Sequence, residues 1–185
     1  MTSDALRAAL SAKVQEKIAF IRRNPAAARV IFRAQTQLVE GVLCSAVVRR
    51  FPAMQVDEPP DLGGSDTAMG PVELLLVALG TCQEIVYALY ASVMDIPLEG
   101  ISVNVKGYLD VRGLLAVDDA VPAGCQKITF ETRIQSPADA KAVEQLVRMA
   151  ESCCPVLDTL KRPIEVSGNV FLNGQRFDTS QSVAA

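Results

Sequence analysis

The chain has 185 residues, half of them hydrophobic and 21% charged, with a formal net charge of -3 and no histidine. That length closes one good core rather than two, and an acidic balance without a dense Lys/Arg stripe excludes a phosphate-tracking surface, so nucleic acid is not an expected partner. The missing histidine removes the usual general base and metal ligand, so no metal or cofactor is expected and the reactive chemistry falls to Cys44, Cys82, Cys125, Cys153 and Cys154.

Leu6, Leu10, Val14, Ile18 and Ile21 recur at helical spacing, which predicts an amphipathic N-terminal helix with Ser3 or Asp4 as its cap and Asn24-Pro25 at its end. The charges of this segment are spread along it, so no secretory signal is visible. With five dispersed cysteines, an odd number, this fits reduced thiols in the cytoplasm better than a disulfide framework. Alternation from Arg29 to Gln37, a break at Glu40-Gly41 and a second extended run to Val48 predict a β-hairpin.

The next segment, FPAMQVDEPPDLGGSDTAMGP, is dense in proline and glycine and predicts a short strand followed by a loop. Gly70-Pro71, with Glu73 in the first turn, then begins a helix running to about Met94. Because that helix is apolar almost all round, it is expected to be buried on every side or to lie in a membrane. Gln83 and Glu84 near its middle favour the core of a soluble protein, and no membrane is expected.

Two strands with one wet face each follow, over Ile101–Val111 and Lys127–Ile134, joined by a loop rich in turn residues. Ser136-Pro137 is read as the start of a second helix, with Val143, Leu146, Val147 and Ala150 as its buried stripe and Cys154 continuing it. Pro155 makes Cys154 the N-cap of a short helix through Leu160, where free amides are expected to lower its thiol pKa. Pro163 to Leu172 reads as a last strand, and the polar segment from Gln175 as a mobile tail.

A thiolate attacks peroxides and disulfides, and a second thiol protects the sulfenic acid that results. Cys82 and Cys154 supply such a pair if their helices pack side by side, although free cysteines also serve often as small buried hydrophobes. Cys44 and Cys125 read as packing residues, and Cys153 as a bystander to Cys154. Glu73 stabilises its helix or holds an arginine near the reactive sulfur, and Arg49, Arg50 and Arg162 are the cations to seek near a thiolate.

The segments GPVELLLVALGTC, VDEPPDLGGSDT, DVRGLLAVDDAVPAGCQKITFETRI and ESCCPVLDTLKRPIEV resemble the OsmC/Ohr superfamily, over roughly Arg29 to Leu172. The resemblance implies an α+β, OsmC-like fold in which antiparallel sheets wrap two long central helices within an intertwined homodimer. On this basis residues 1–25 form an N-terminal helical extension and residues 26–185 the OsmC-like domain. It also implies a thiol-dependent hydroperoxide reductase, with Cys82 as the peroxidatic thiol, Cys154 as the resolving thiol, organic hydroperoxides as preferred substrates and a dithiol such as a lipoylated protein as reductant.

Hydroperoxide-resistance members of that superfamily also use a first-hairpin arginine and a glutamate one place after the helix proline. Here Val72 takes the glutamate's place, Glu73 lies about a hundred degrees further round the helix, and no arginine falls between Gln35 and Val48. The alternative reading is therefore a non-enzymatic OsmC-like protein that binds a small apolar ligand or senses oxidation.

Overall fold

The computed structural model describes residues 3–177 and shows a mixed α+β architecture. The first helix, α1 (Ser3–Arg23), contains Ser3 and Asp4 within it rather than ahead of it as caps. It rests on the long helix of the core, with Leu10, Val14, Ile18 and Ile21 half-buried, while Leu6 is largely exposed. Arg7 ties it to Asp95 through an ion pair of 3.4 Å.

Strands β1 (Gln35–Glu40), β2 (Leu43–Val47) and β3 (Met54–Val56) form an antiparallel sheet in chain order. Gly41 turns the hairpin at φ 54, a left-handed conformation that glycine adopts without a Cβ clash. The hairpin is as predicted, but its first strand begins six residues later than the alternation suggests. Val30, Ile31 and Phe32 have no strand to pair with and stand 67, 74 and 91% exposed. Alternation marks extended chain, and pairing needs a free edge as well.

Between β3 and the long helix, the loop folds around one carboxylate. Asp57 is buried and accepts hydrogen bonds from the amides of Glu58, Ser65 and Thr67 and from the Thr67 hydroxyl, at 2.8 to 3.1 Å. These bonds, those from Thr67 foremost, hold its pKa down to about 2. Helix α2 (Pro71–Val93) then starts with Pro71 in its first turn and Glu73 Oε2 accepting from the Gly70 amide at 2.7 Å.

One face of α2 carries Leu79, Gly80, Gln83, Val86, Tyr87 and Ala91, all buried. At Gly80 the helix comes close to its neighbouring sheet, since an added Cβ would lie 3.4 Å from Val105 Cγ2 and 3.5 Å from the Val103 carbonyl. The predicted burial on every side is not found. Val72, Leu75, Val77 and Ile85 are exposed, because only the sheet, α1 and the later helices pack against α2 within this chain. Among the described residues it is the one helix long and apolar enough to cross a membrane, yet Gln83 lies in its buried face and Glu84 Oε1 accepts from the Val103 amide.

The neighbouring sheet pairs β4 (Gly100–Tyr108) with β5 (Lys127–Gln135) in antiparallel register from Gly100–Gln135 to Tyr108–Lys127. Val111, expected in the strand, instead opens a single-turn helix, α3 (Val111–Leu114), because Asp110 accepts from the Arg112 amide and caps it. Helix α4 (Ala140–Cys153) is capped by Asp139, whose carboxylate accepts from the Ala142 amide at 2.8 Å. The predicted cap, Ser136, instead donates its hydroxyl to the Pro97 carbonyl and so pins the strand end.

Helix α5 (Pro155–Lys161) follows α4 at once. Beyond it, β6 (Val170–Leu172) and β7 (Gln175–Phe177) form a hairpin turned by Asn173 and Gly174, both at positive φ. The predicted last strand is thus reduced to three residues, and the start of the polar tail is a strand, while the rest of the tail lies outside the described residues. The core gathers Leu79, Val86, Tyr87, Ile96, Leu146, Ala150, Cys154 and Leu157 between α2, α4, α5 and the inward face of β4–β5.

Candidate functional site

Proline disfavours helical backbone in the residue before it, so the chain turns at Cys154, which ends α4 and begins α5 at φ -77 and ψ 109. The turn directs its side chain inward. Cys154 is 0% exposed, whereas Cys153, one residue earlier, faces solvent. From the other side, Cys82 lies half-buried at mid-length of α2, packed against the core cluster.

The two helices bring the sulfurs together. Cys154 donates to Cys82, Sγ to Sγ, at 3.4 Å, and both thiols are free. A disulfide sits at about 2.05 Å, so bond formation from 3.4 Å needs an approach of roughly 1.4 Å, within the reach of side-chain adjustment. The sequence spacing of 72 positions is bridged by the packing of α2 on α4 and α5.

The electrostatics differ from the expected ones at one point. The amides of Val156 and Leu157 do point at the Cys154 sulfur and favour its thiolate, as an N-cap should. Burial acts the other way and more strongly, and the hydrogen bond to Cys82 adds to it, so the Cys154 pKa is raised rather than lowered. The proton therefore stays on Cys154.

A cavity of about 470 Å³ lies one helical turn away from the pair, walled by Leu75 and Leu79 of α2, Phe130 of β5, and Leu157 and Leu160 of α5. Leu79 precedes Cys82 by three residues and Leu157 follows Cys154 by three, so helical spacing from each cysteine was the signal that could have found these walls. Gln83 was noted in sequence only as a polar break. In the fold it is 1% exposed, and neither its Oε1 nor its Nε2 has a hydrogen-bond partner among the described residues.

The other candidates lie apart from the sulfurs. Arg162 pairs with Asp158 at 2.7 Å, Arg49 stacks over the Phe51 ring, and neither these nor Arg50 is hydrogen-bonded to either thiol. Glu73 is engaged by Gly70, which supports its reading as a helix-start residue. Cys44 is half-buried in β2, Cys125 is half-buried beside Gly107, and Cys153 lies against Met149 Sδ at 3.9 Å.

Comparison with known proteins fits this geometry. The family profile described as OsmC-like protein matches residues 63–168, more than half of the chain and a span that contains both Cys82 and Cys154. The chain belongs to the OsmC-like protein family. An OsmC-like protein from Mycoplasma pneumoniae is similar in structure, with a TM-score of 0.61 at 20% identity over 71% of this chain and 88% of that one.

Two further solved structures share the fold. A Legionella pneumophila protein described as an organic hydroperoxide resistance protein OsmC has a TM-score of 0.55 at 19% identity, covering 71% of this chain and 90% of its own. An organic hydroperoxide resistance protein from Elizabethkingia anophelis, with bound thiocyanate, also has a TM-score of 0.55, at 15% identity over 72% and 89%. A search of curated protein sequences finds no match.

Proposed function

We propose that this OsmC-like protein is a thiol-dependent hydroperoxide reductase in which Cys82 attacks and Cys154 resolves. The observation that carries the reading is the 3.4 Å contact between the two sulfurs. Cys154 is sealed, its pKa is raised by burial, and its thiol donates toward Cys82. Cys82 is also the sulfur with a route to solvent.

In this mechanism the Cys82 thiolate attacks the terminal oxygen of ROOH, the O–O bond breaks, and the departing alkoxide takes a proton to leave as ROH. Cys82 is then a sulfenic acid. The Cys154 sulfur attacks that sulfur, a disulfide forms, and the hydroxyl leaves as water with the Cys154 proton. An external dithiol, a lipoylated protein being the proposed one, supplies two electrons and two protons to restore both thiols.

The leucine-lined cavity favours organic hydroperoxides over hydrogen peroxide, because only the former offer apolar surface to bury there. A homodimer belongs to the same proposal. Val30 to Phe32, Leu38 and Val39, and Val170 to Leu172 present exposed apolar rows that a second chain would cover. A reducing compartment such as the cytoplasm suits a chain whose cysteines are all free.

The test is steady-state consumption of an alkyl hydroperoxide and of hydrogen peroxide, with a dithiol as reductant, by wild type, Cys82→Ser and Cys154→Ser. Turnover should favour the alkyl hydroperoxide and vanish in Cys82→Ser, while Cys154→Ser should accumulate the sulfenic acid. Equal peroxide loss in all three proteins contradicts the reading.

A further inference from the structure

A cavity of about 380 Å³ lies near the C-terminal end of α2, between α1 and the segment that leads into β4. Its apolar walls are Leu6 and Leu10 of α1, Ala88 and Ala91 of α2, and Ile96 and Leu98 beyond it, and no cysteine lines it. One side of this cavity is specific to this chain's own extension. Helix α1, which supplies that side, lies outside residues 63–168, the span that matches the family profile.

The positive groups at this end of α1 are already answered. The Arg7 guanidinium, which stands in the cavity wall, pairs with Asp4 at 3.3 Å and with Asp95 at 3.4 Å. Asp4, in the first turn, also meets the partial positive charge of the α1 N-terminus. No positive charge is left over for an anion.

What remains open in the wall can only accept. The Ser92 hydroxyl, 4% exposed, donates to the Leu89 carbonyl at 2.6 Å and keeps only its lone pairs for another group. The Glu99 backbone is fixed, since its amide donates to the Gln135 carbonyl at 2.8 Å, but its carboxylate has no ion pair or hydrogen bond among the described residues. The unmet demand is for a donor with positive charge.

We propose that this cavity binds a small organic cation, a primary ammonium on a short apolar body, with Glu99 and Ser92 accepting from the ammonium. The leucine, isoleucine and alanine walls bury the body, and Leu6, 55% exposed at present, gains cover from it. The volume falls within the range of small-molecule sites, which pair apolar walls with a few polar groups that fix orientation. A neutral molecule of the same shape leaves the carboxylate unanswered. The site is independent of the thiol pair and of the reductase reading.

The test titrates the reduced protein calorimetrically with octylamine, protonated at neutral pH, and with octanol, its neutral counterpart, each below the concentration at which it aggregates. Octylamine should bind roughly fivefold more tightly, the size expected for one partly exposed ion pair, and the preference should shrink as salt rises. Glu99→Gln should abolish the preference at unchanged Tm, and Glu99→Asp should keep it. Ala88→Leu, which narrows the cavity, should weaken both ligands.

Amide chemical shifts locate the ligand. Octylamine should move the signals of Leu6, Leu10 and Ile96 to Glu99 in the wild-type protein, and the same set should stay in place in Ala88→Leu. Equal affinity for the amine and the alcohol, no binding of octylamine, a preference that survives Glu99→Gln, or shifts that spare those residues overturns the site.

Discussion

The Cys154 thiol donates to Cys82 Sγ at 3.4 Å, and the donor is the sulfur sealed from solvent. The two thiols thus differ in burial. The sealed sulfur lies against Cys82, and Cys82 is the less buried of the two.

The raised pKa of Cys154 makes stability depend on alkaline pH. A thiol with a folded-state pKa above its unfolded value of about 8.5 contributes stability that is complete below that value and is lost as pH rises through the folded pKa. Reduced wild type should therefore lose denaturant stability from about pH 8.5 upward, and Cys154→Ala should lose less over the same range. Parallel curves for the two proteins would show that burial does not hold the proton on Cys154.

Asp57 sets the opposite limit. Its depressed pKa means that its contribution is present above about pH 4 and is lost as pH falls toward about 2. Asp57→Asn should lower Tm at neutral pH and flatten the acid limb of the stability curve, since an amide cannot accept the full set of bonds from Glu58, Ser65 and Thr67. Thermal melts between pH 2 and 7 check both effects.

Gln83 is a buried amide with both polar ends unpartnered among the described residues, so an apolar side chain of similar size should serve the fold as well or better. Gln83→Leu is expected to raise unfolding free energy by roughly 1 kcal/mol, or to leave it unchanged. A loss of that size in urea unfolding would instead show that the amide is bonded in the folded protein.

Leu146 is 0% exposed and joins α4 to the core cluster that holds Cys154 in place. Leu146→Ala should destabilise by about 2–5 kcal/mol, from lost transfer energy and the cavity left behind. It should also slow disulfide closure, because α4 carries Cys154. Unfolding curves and the rate of bond formation after a peroxide pulse measure the two effects separately.

The local elements were the most legible part of this fold. Period-2 alternation located β4 and β5, and Gly70-Pro71 with Glu73 located the start of α2, because those signals depend on backbone geometry that neighbours do not alter. Signals that need a partner were misread. The alternation of Val30 to Phe32 lacked an edge to pair with, and the all-apolar α2 left Ile85 in the open because one chain does not surround it.

At the candidate site, the cysteine motifs singled out the two residues whose sulfurs the fold brings to 3.4 Å, but not the direction of the Cys154 shift. Cap amides are visible in the sequence Cys-Pro-Val, whereas the depth of burial that outweighs them arises only when α2, α4 and α5 pack. The cavity was silent for the same reason, since nothing in the local sequence shows that β5 and α5 close on it.

The central claim is that these two thiols form one redox couple. The most direct measurement adds one equivalent of an alkyl hydroperoxide to the fully reduced protein, blocks the remaining thiols, and maps the peptides under non-reducing conditions. The account predicts loss of two hydrogens per chain and a single new bond joining the peptides of Cys82 and Cys154. Two blocked, unlinked peptides after the peroxide has been consumed, or a bond that forms equally in Cys82→Ser, would contradict it.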